Sequence, residues 1–224
     1  IKDVELPGLG VSYGFGGNNN QSVSWYNFES LVHPPTVYMY DFSSYSSKEY
    51  YSSKAKFDKD KYVMKRDFYE SKDGTRVPIF IAHSKDLVLD GIAPTLLYGY
   101  GGFNISQKPY FNKTIPVLLE KGGVYAVACT RGGGEYGQEW HEAGMLQNKQ
   151  NVFDDFISAG EYLIIEGYTS SDRLAIRGGS NGGTLVGAVI NQKPNLFRVA
   201  FPEVGVMDML RYEEFTIGWA CLLY

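Results

Sequence analysis

The sequence predicts an α/β fold with a mostly parallel sheet and helices on both faces, preceded by a short all-β segment. Three observations predict it. From about Phe57 onward, short apolar runs alternate with helix-forming stretches, the pattern of strand–helix–strand units. Val124-Tyr125-Ala126-Val127-Ala128 is continuously apolar, as a strand covered on both faces should be. Before Phe57 the chain offers only strand-like runs and polar loops. Composition is that of a globular protein: 224 residues, 44% apolar, 21% charged and 15% aromatic, which excludes intrinsic disorder.

The elements follow in order. Residues 8–20 read as a Gly/Asn-rich loop. Residues 23–32 and 36–42 read as strands, and His33-Pro34-Pro35 is expected to force a break between them. Residues 43–56, rich in Ser, Tyr and Lys, read as a linker. Two strands cannot bury their faces alone, so this segment needs a partner sheet. Residues 62–69 and 77–82 read as a hairpin turning at Ser71-Lys72-Asp73-Gly74, because Asp-Gly tolerates positive φ. Residues 95–98 form a short strand that runs into Gly99-Tyr100-Gly101-Gly102. Residues 114–121 read as a helix, with Pro116 in its first turn and Gly122-Gly123 as its stop.

After a glycine-rich loop at 131–137, Asn151 is expected to cap the clearest helix. Val152, Phe153, Phe156, Gly160, Leu163 and Ile164 share one face, Asp154 and Asp155 sit near its positive end, and Gly167 stops it. Residues 174–176 are a brief strand and 178–183 a turn. Residues 184–191 are a helix closed by Pro194, and 197–202 a last strand.

Several function classes are excluded or disfavoured. No apolar run approaches the roughly 18–20 residues of a membrane span. The start, Ile1-Lys2-Asp3-Val4-Glu5, lacks the basic flank and apolar core of a signal peptide. It also lacks an initiator Met, so the chain is expected to be a fragment or a processed product. A net charge of −4 argues against nucleic-acid or acidic-membrane partners. Two cysteines, Cys129 and Cys221, make no disulfide framework and fit a cytoplasmic setting. Three dispersed histidines, His33, His83 and His141, argue against a metal site, and no cofactor is expected.

The chemistry concentrates at Gly178-Gly179-Ser180-Asn181-Gly182, a G-x-S-x-G match. A nucleophilic serine must project from a sharp strand-to-helix turn, so the residues two positions away must lack side chains. The backbone N–H of Asn181 would then face a developing oxyanion. Chance alone yields roughly 0.2 such matches in a chain of this size. The predicted strand before and helix after raise the match above that level. The alternative is a glycine-rich turn, such as a nucleotide loop, but G-x-G-x-x-G fails here and no P-loop lysine follows.

Four motifs occur in order: Leu97-Tyr98-Gly99-Tyr100-Gly101-Gly102-Phe103-Asn104, Arg131-Gly132-Gly133-Gly134-Glu135-Tyr136-Gly137, the Gly178-to-Gly183 turn, and Val204-Gly205-Val206-Met207-Asp208-Met209-Leu210. With these spacings the chain resembles the prolyl oligopeptidase family, most closely over residues 61–218. The resemblance implies a partial α/β-hydrolase domain at 56–224, preceded by the end of a β-propeller at 1–55. It implies a serine endopeptidase that cleaves short peptides after proline, monomeric as a full-length protein. Ser180 would be the nucleophile, with Tyr100 O–H and the Asn181 N–H as oxyanion donors. Phe103 and Val206 would line the proline slot. On its own, Tyr100 reads as one more packed aromatic, and Phe103 and Val206 as core. The Arg131 loop would be structural, near the site.

The same resemblance implies what is missing. No histidine follows Ser180, and α/β-hydrolases order their triad as Ser, then Asp, then His, so His141 is rejected as the base. Glu203, Asp208, Glu213 and Glu214 are expected to be structural or exposed, and Cys129 an inert core thiol. The family's Asp and His, and an arginine that grips the substrate, would lie beyond Tyr224. Residues 216–218 fit the family, but Cys221 stands where it has a proline-stacking tryptophan, and Trp219 lies two residues early. The chain is therefore expected to be inactive and poorly stable alone. Two other readings stay open: a non-catalytic truncated relative that binds or regulates, and a carboxylesterase-like hydrolase. The Tyr-Gly-Tyr-Gly-Gly-Phe segment, in place of an HGGG-type loop, weighs against the latter.

Overall fold

A computed structural model describes residues 3–214, so Trp219, Cys221 and the 216–218 segment lie outside the described residues. Two sheets are present. The first is an antiparallel meander of β1 (Val11–Gly16), β2 (Val23–Ser30), β3 (His33–Asp41) and β4 (Ser46–Ser52). The second holds β5 (Tyr62–Glu70), β6 (Arg76–Ser84), β7 (Thr95–Tyr98), β8 (Val124–Ala128), β9 (Leu174–Gly179) and β10 (Val199–Glu203). Its strand order is β10-β9-β7-β8-β6-β5, parallel from β10 through β8 and antiparallel at the β6 and β5 edge. The helices are α1 (Ile115–Glu120), α2 (Gln138–Glu142), α3 (Lys149–Ile165) and α4 (Asn181–Gln192).

Alternation along the strands separates two cores. Leu97, Val124, Ala126 and Ala128 pack against Val152, Phe156 and Leu163 of α3 and Leu185, Val186 and Val189 of α4. Their neighbours Leu96, Tyr98, Tyr125 and Val127 face Ile115 and Leu119 of α1. Helices therefore cover both faces, as the apolar run at 124–128 requires. Leu31, from the β2–β3 turn, enters this second core and joins the small sheet to the large one. A further link is Glu29 of β2, whose Oε2 accepts from the Phe111 N–H at 2.9 Å.

Four expectations are corrected. Residues 8–20 are not all loop, because β1 pairs antiparallel with β2. His33-Pro34-Pro35 does not separate the strands. The chain turns at Leu31-Val32, and the prolines open β3, where a missing N–H is tolerated. The presumed linker contains β4, which pairs with β3 through main-chain bonds. All seven of its side chains are exposed, so no period-2 signal marks it. Finally, α3 begins at Lys149 after Asn148, not at Asn151. The Asn151 amide instead donates to Ala143 O at 2.9 Å. Asp155 thus lies in the middle of the helix and is fully buried, away from the positive end. No helix among the described residues is long and apolar enough to cross a membrane.

Candidate active site

The sheet topology selects one edge. The chain passes from β7 to β8 on one side, then crosses back to place β9 on the other side of β7. Where strand order reverses in this way, the loops at the carboxyl ends diverge and leave a crevice. The loop after β7 carries Tyr100 and Phe103. The turn after β9 carries Ser180, the loop after β8 carries Arg131, and the loop after β10 carries Val206. All the candidate residues therefore leave the same end of the sheet.

Ser180 sits between β9 and α4 with φ 55° and ψ −118°. A non-glycine residue held there is strained by about 1–3 kcal/mol and needs over-determined surroundings. They are present. Its N–H donates to Glu203 O at 2.9 Å, and its C=O accepts from the N–H groups of Gly183 at 2.9 Å and Thr184 at 3.2 Å. A Cβ on Gly178 would run into the Gly182 main chain, and one on Gly182 would lie 2.5 Å from Gly99 O. Both flanking glycines of the motif are thus sterically required. Ser180 is exposed, at the head of a helix whose first N–H groups have no intrahelical acceptor.

The same glycine packing brings the Tyr100 loop to Ser180. The Asn181 Nδ2 donates to Tyr100 O at 2.6 Å. Gly101, at φ 63°, lies where a Cβ would strike Val152 of α3 and approach Thr130 Oγ1 at 2.6 Å. Only glycine meets both demands. Tyr100 itself is half-buried, as is Phe103, whose φ of 55° is unusual for a bulky side chain. Val206, also half-buried, is tied to α4: its N–H donates to Thr184 Oγ1 and its C=O accepts from that hydroxyl, both at 3.0 Å.

The Arg131 loop supports this arrangement from behind. Arg131 is buried, and its Nη2 and Nε donate to Asp155 at 2.6 and 3.0 Å. Nη1 reaches Asp73 of the β5–β6 turn at 2.6 Å. The next residue, Gly132, approaches so closely that a Cβ would sit 2.8 Å from Gly101 O. His141 is buried, with Nδ1 2.8 Å from Gly132 O, so it is engaged by the loop's own backbone. Cys129 is buried too, and desolvation pushes its thiol pKa up, away from reactivity. Glu203 is exposed and pairs with Arg177 at 3.0 Å, and Asp208 with Arg211 at 2.6 Å.

Sequence reasoning missed one residue, Lys149, and misassigned another, Asp155, to the helix start. Asp155 stands three positions after Val152 and one before Phe156, a charge inside an apolar stripe, and that was the available signal. Lys149 is the first residue of the same helix. Its Nζ donates to Gly101 O at 2.9 Å and to Asn181 Oδ1 at 3.3 Å, and burial lowers its pKa to about 8.

Comparison with known proteins finds relatives of one family. The chain is 50% identical over 222 residues to a prolyl endopeptidase of Elizabethkingia miricola, covering 98% of this chain and 32% of that protein. A solved structure from a study of two prolyl endopeptidases and their inter-domain dynamics superposes with a TM-score of 0.90. It is 46% identical, over 99% of this chain and 33% of its own. Prolyl oligopeptidase B of Galerina marginata, solved with a 25mer macrocyclization substrate, gives a TM-score of 0.86 at 37% identity, over 94% of this chain and 30% of its own. The chain spans about a third of the length of these relatives. The prolyl oligopeptidase family profile matches residues 109–221, half of the chain and the half that contains Ser180. With the profile matching half of its residues, the chain belongs to the prolyl oligopeptidase family.

Proposed function

We propose that this chain carries the nucleophile and oxyanion donors of a serine endopeptidase that cleaves short peptides on the carboxyl side of proline. The observation that carries the reading is Ser180, exposed and held at positive φ at the head of α4, with Asn181 bonded to the main chain of Tyr100. In the proposed reaction Ser180 Oγ attacks the scissile carbonyl, and its proton passes to a histidine outside this chain. The carbonyl oxygen, now an oxyanion, accepts from Tyr100 O–H and the Asn181 N–H. A neutral phenol serves here without the cost of desolvating a charge. On collapse the C–N bond breaks, the histidine returns its proton to the departing amine, and the acyl-Ser180 ester that remains is hydrolysed by water. Phe103 and Val206 would line an apolar slot suited to a pyrrolidine ring, which has no N–H to satisfy. A serine without a base is a poor nucleophile at neutral pH, so the chain alone is expected to be inactive. The four-stranded sheet would be the end of a propeller (residues 1–55) that limits access to small peptides, and residues 56–224 the front of the hydrolase domain. The whole enzyme is proposed to act as a cytoplasmic monomer without metal or cofactor.

The test of substrate class uses the full-length protein with blocked Gly-Pro amides and simple esters. Hydrolysis of the amide after proline is expected. Hydrolysis of the ester with an intact amide would overturn the proline assignment. Within the same assay, Tyr100→Phe is expected to lower kcat by about 10²–10³ with little change in KM, because the phenolic donor acts on charge present only in the transition state. An unchanged kcat would remove Tyr100 from the oxyanion hole.

A further inference from the structure

We infer that Lys149 is a positioning residue that locks the Tyr100 loop to the Ser180–Asn181 turn; the inference rests on the roles proposed above for those residues. It begins from a half-buried cation without a counter-ion. Among the described residues, no Asp or Glu lies within ion-pair distance of Lys149. Its Nζ is directed at two neutral oxygens, Gly101 O and Asn181 Oδ1. Desolvation depresses its pKa, and among the described residues these two neutral acceptors, not a counter-charge, are what hold the ammonium. A surface lysine would escape by swinging into water. This one is held between α3, the β7 loop and α4.

The contacts have a directional consequence. An ammonium can only donate, so the Asn181 atom that faces Lys149 must be Oδ1. The amide orientation is then settled, and Nδ2 is left to donate to Tyr100 O at 2.6 Å. Tyr100 O and Gly101 O belong to the peptide groups on either side of the Gly101 Cα. One is held by Asn181 and the other by Lys149 directly. Both peptide planes of the φ 63° turn are therefore clamped, and with them the backbone that carries the Tyr100 phenol. The other end of the clamp is the residue whose N–H is the second proposed donor. Lys149 would thus set the spacing of the two donors without touching substrate. A displacement near 1 Å at such a site can cost about 10²-fold in rate.

The experiment is a mutant cycle in the full-length protein, assayed on a blocked Gly-Pro amide: Lys149→Met, Tyr100→Phe, the two together, and Ser180→Ala as the control. Lys149→Met is expected to lower kcat about 10- to 100-fold with KM within about twofold. Once Tyr100 is phenylalanine, the same change should cost less than about threefold, because the donor it positions is gone. An unchanged kcat, a loss confined to KM, or an equal loss in both backgrounds would overturn the inference. Should Lys149→Met not fold, Asn181→Ala cuts the same link from the other end and keeps the backbone N–H. It must show the same split and the same dependence on Tyr100, and additivity would overturn the inference equally. Turnover by Ser180→Ala would sink the reading of the site and Lys149 with it. An inactive Ser180→Ala beside a fully active Lys149→Met would sink only Lys149.

Discussion

Replacing Ser180 by alanine in the full-length protein is expected to remove on the order of 10⁶-fold of kcat, the scale seen when a serine peptidase loses its nucleophile. Labelling by a fluorophosphonate probe should vanish with it. The fold should not change. Among the described residues the Ser180 hydroxyl makes no hydrogen bond, and the backbone bonds that hold φ at 55° involve only its N–H and C=O. Alanine keeps all of them and the strain as well, so the shift in stability should stay within about 0.5 kcal/mol. The measurement pairs turnover and labelling with a thermal melt. A folded Ser180→Ala protein that still took the probe would place the nucleophile elsewhere.

The second large effect concerns stability. Asp155 is fully buried and accepts from Arg131 Nε, Nη2 and backbone N–H, and from Ser71 Oγ. Asp155→Ala leaves a buried guanidinium with one partner fewer, and the expected loss is about 3–5 kcal/mol, read by urea unfolding of the intact protein. Replacing the pair together, Arg131→Met with Asp155→Leu, should cost less than Asp155→Ala alone, since no buried charge is stranded. A loss under about 1 kcal/mol for Asp155→Ala would show that the network does not hold the loop.

Asp73, the other partner, behaves differently because its side chain is half exposed. Hydrogen bonding to Arg131 holds its carboxyl down from 3.8 to about 2. A depressed carboxylate stabilises the fold fully above its unfolded value, and that contribution fades as pH falls through about 2. Asp73→Asn should therefore cost little at neutral pH, within the roughly 0–1 kcal/mol of a solvated ion pair. It should also flatten the loss of stability between pH 4 and about 2.

What could be read directly from the residues was whatever depends on near neighbours in the chain. The β5–β6 hairpin, the buried strand at 124–128, α1 with Pro116 and its glycine stop, and the serine turn between strand and helix all follow from local periodicity and turn chemistry. Strand β4 did not, because its pairing is made by main-chain groups and its side chains carry no alternation. Nor did the start of α3, because two asparagines compete for it: the helix starts after Asn148, while the Asn151 amide is engaged by Ala143 O. The site divides the same way. The Gly178-to-Gly182 motif states its own steric need, since those two glycines meet within one turn. The partners of Asp155 are 24 and 84 residues away in Arg131 and Ser71, and Lys149 meets Gly101 and Asn181 across 48 and 32. Only the strand order, which folds the loops after β7, β8 and β9 onto one edge, decides that those groups meet. Charges inside an apolar helical stripe show that some partner is required, but tertiary packing alone names it, because burial makes the pairing obligatory without encoding its address.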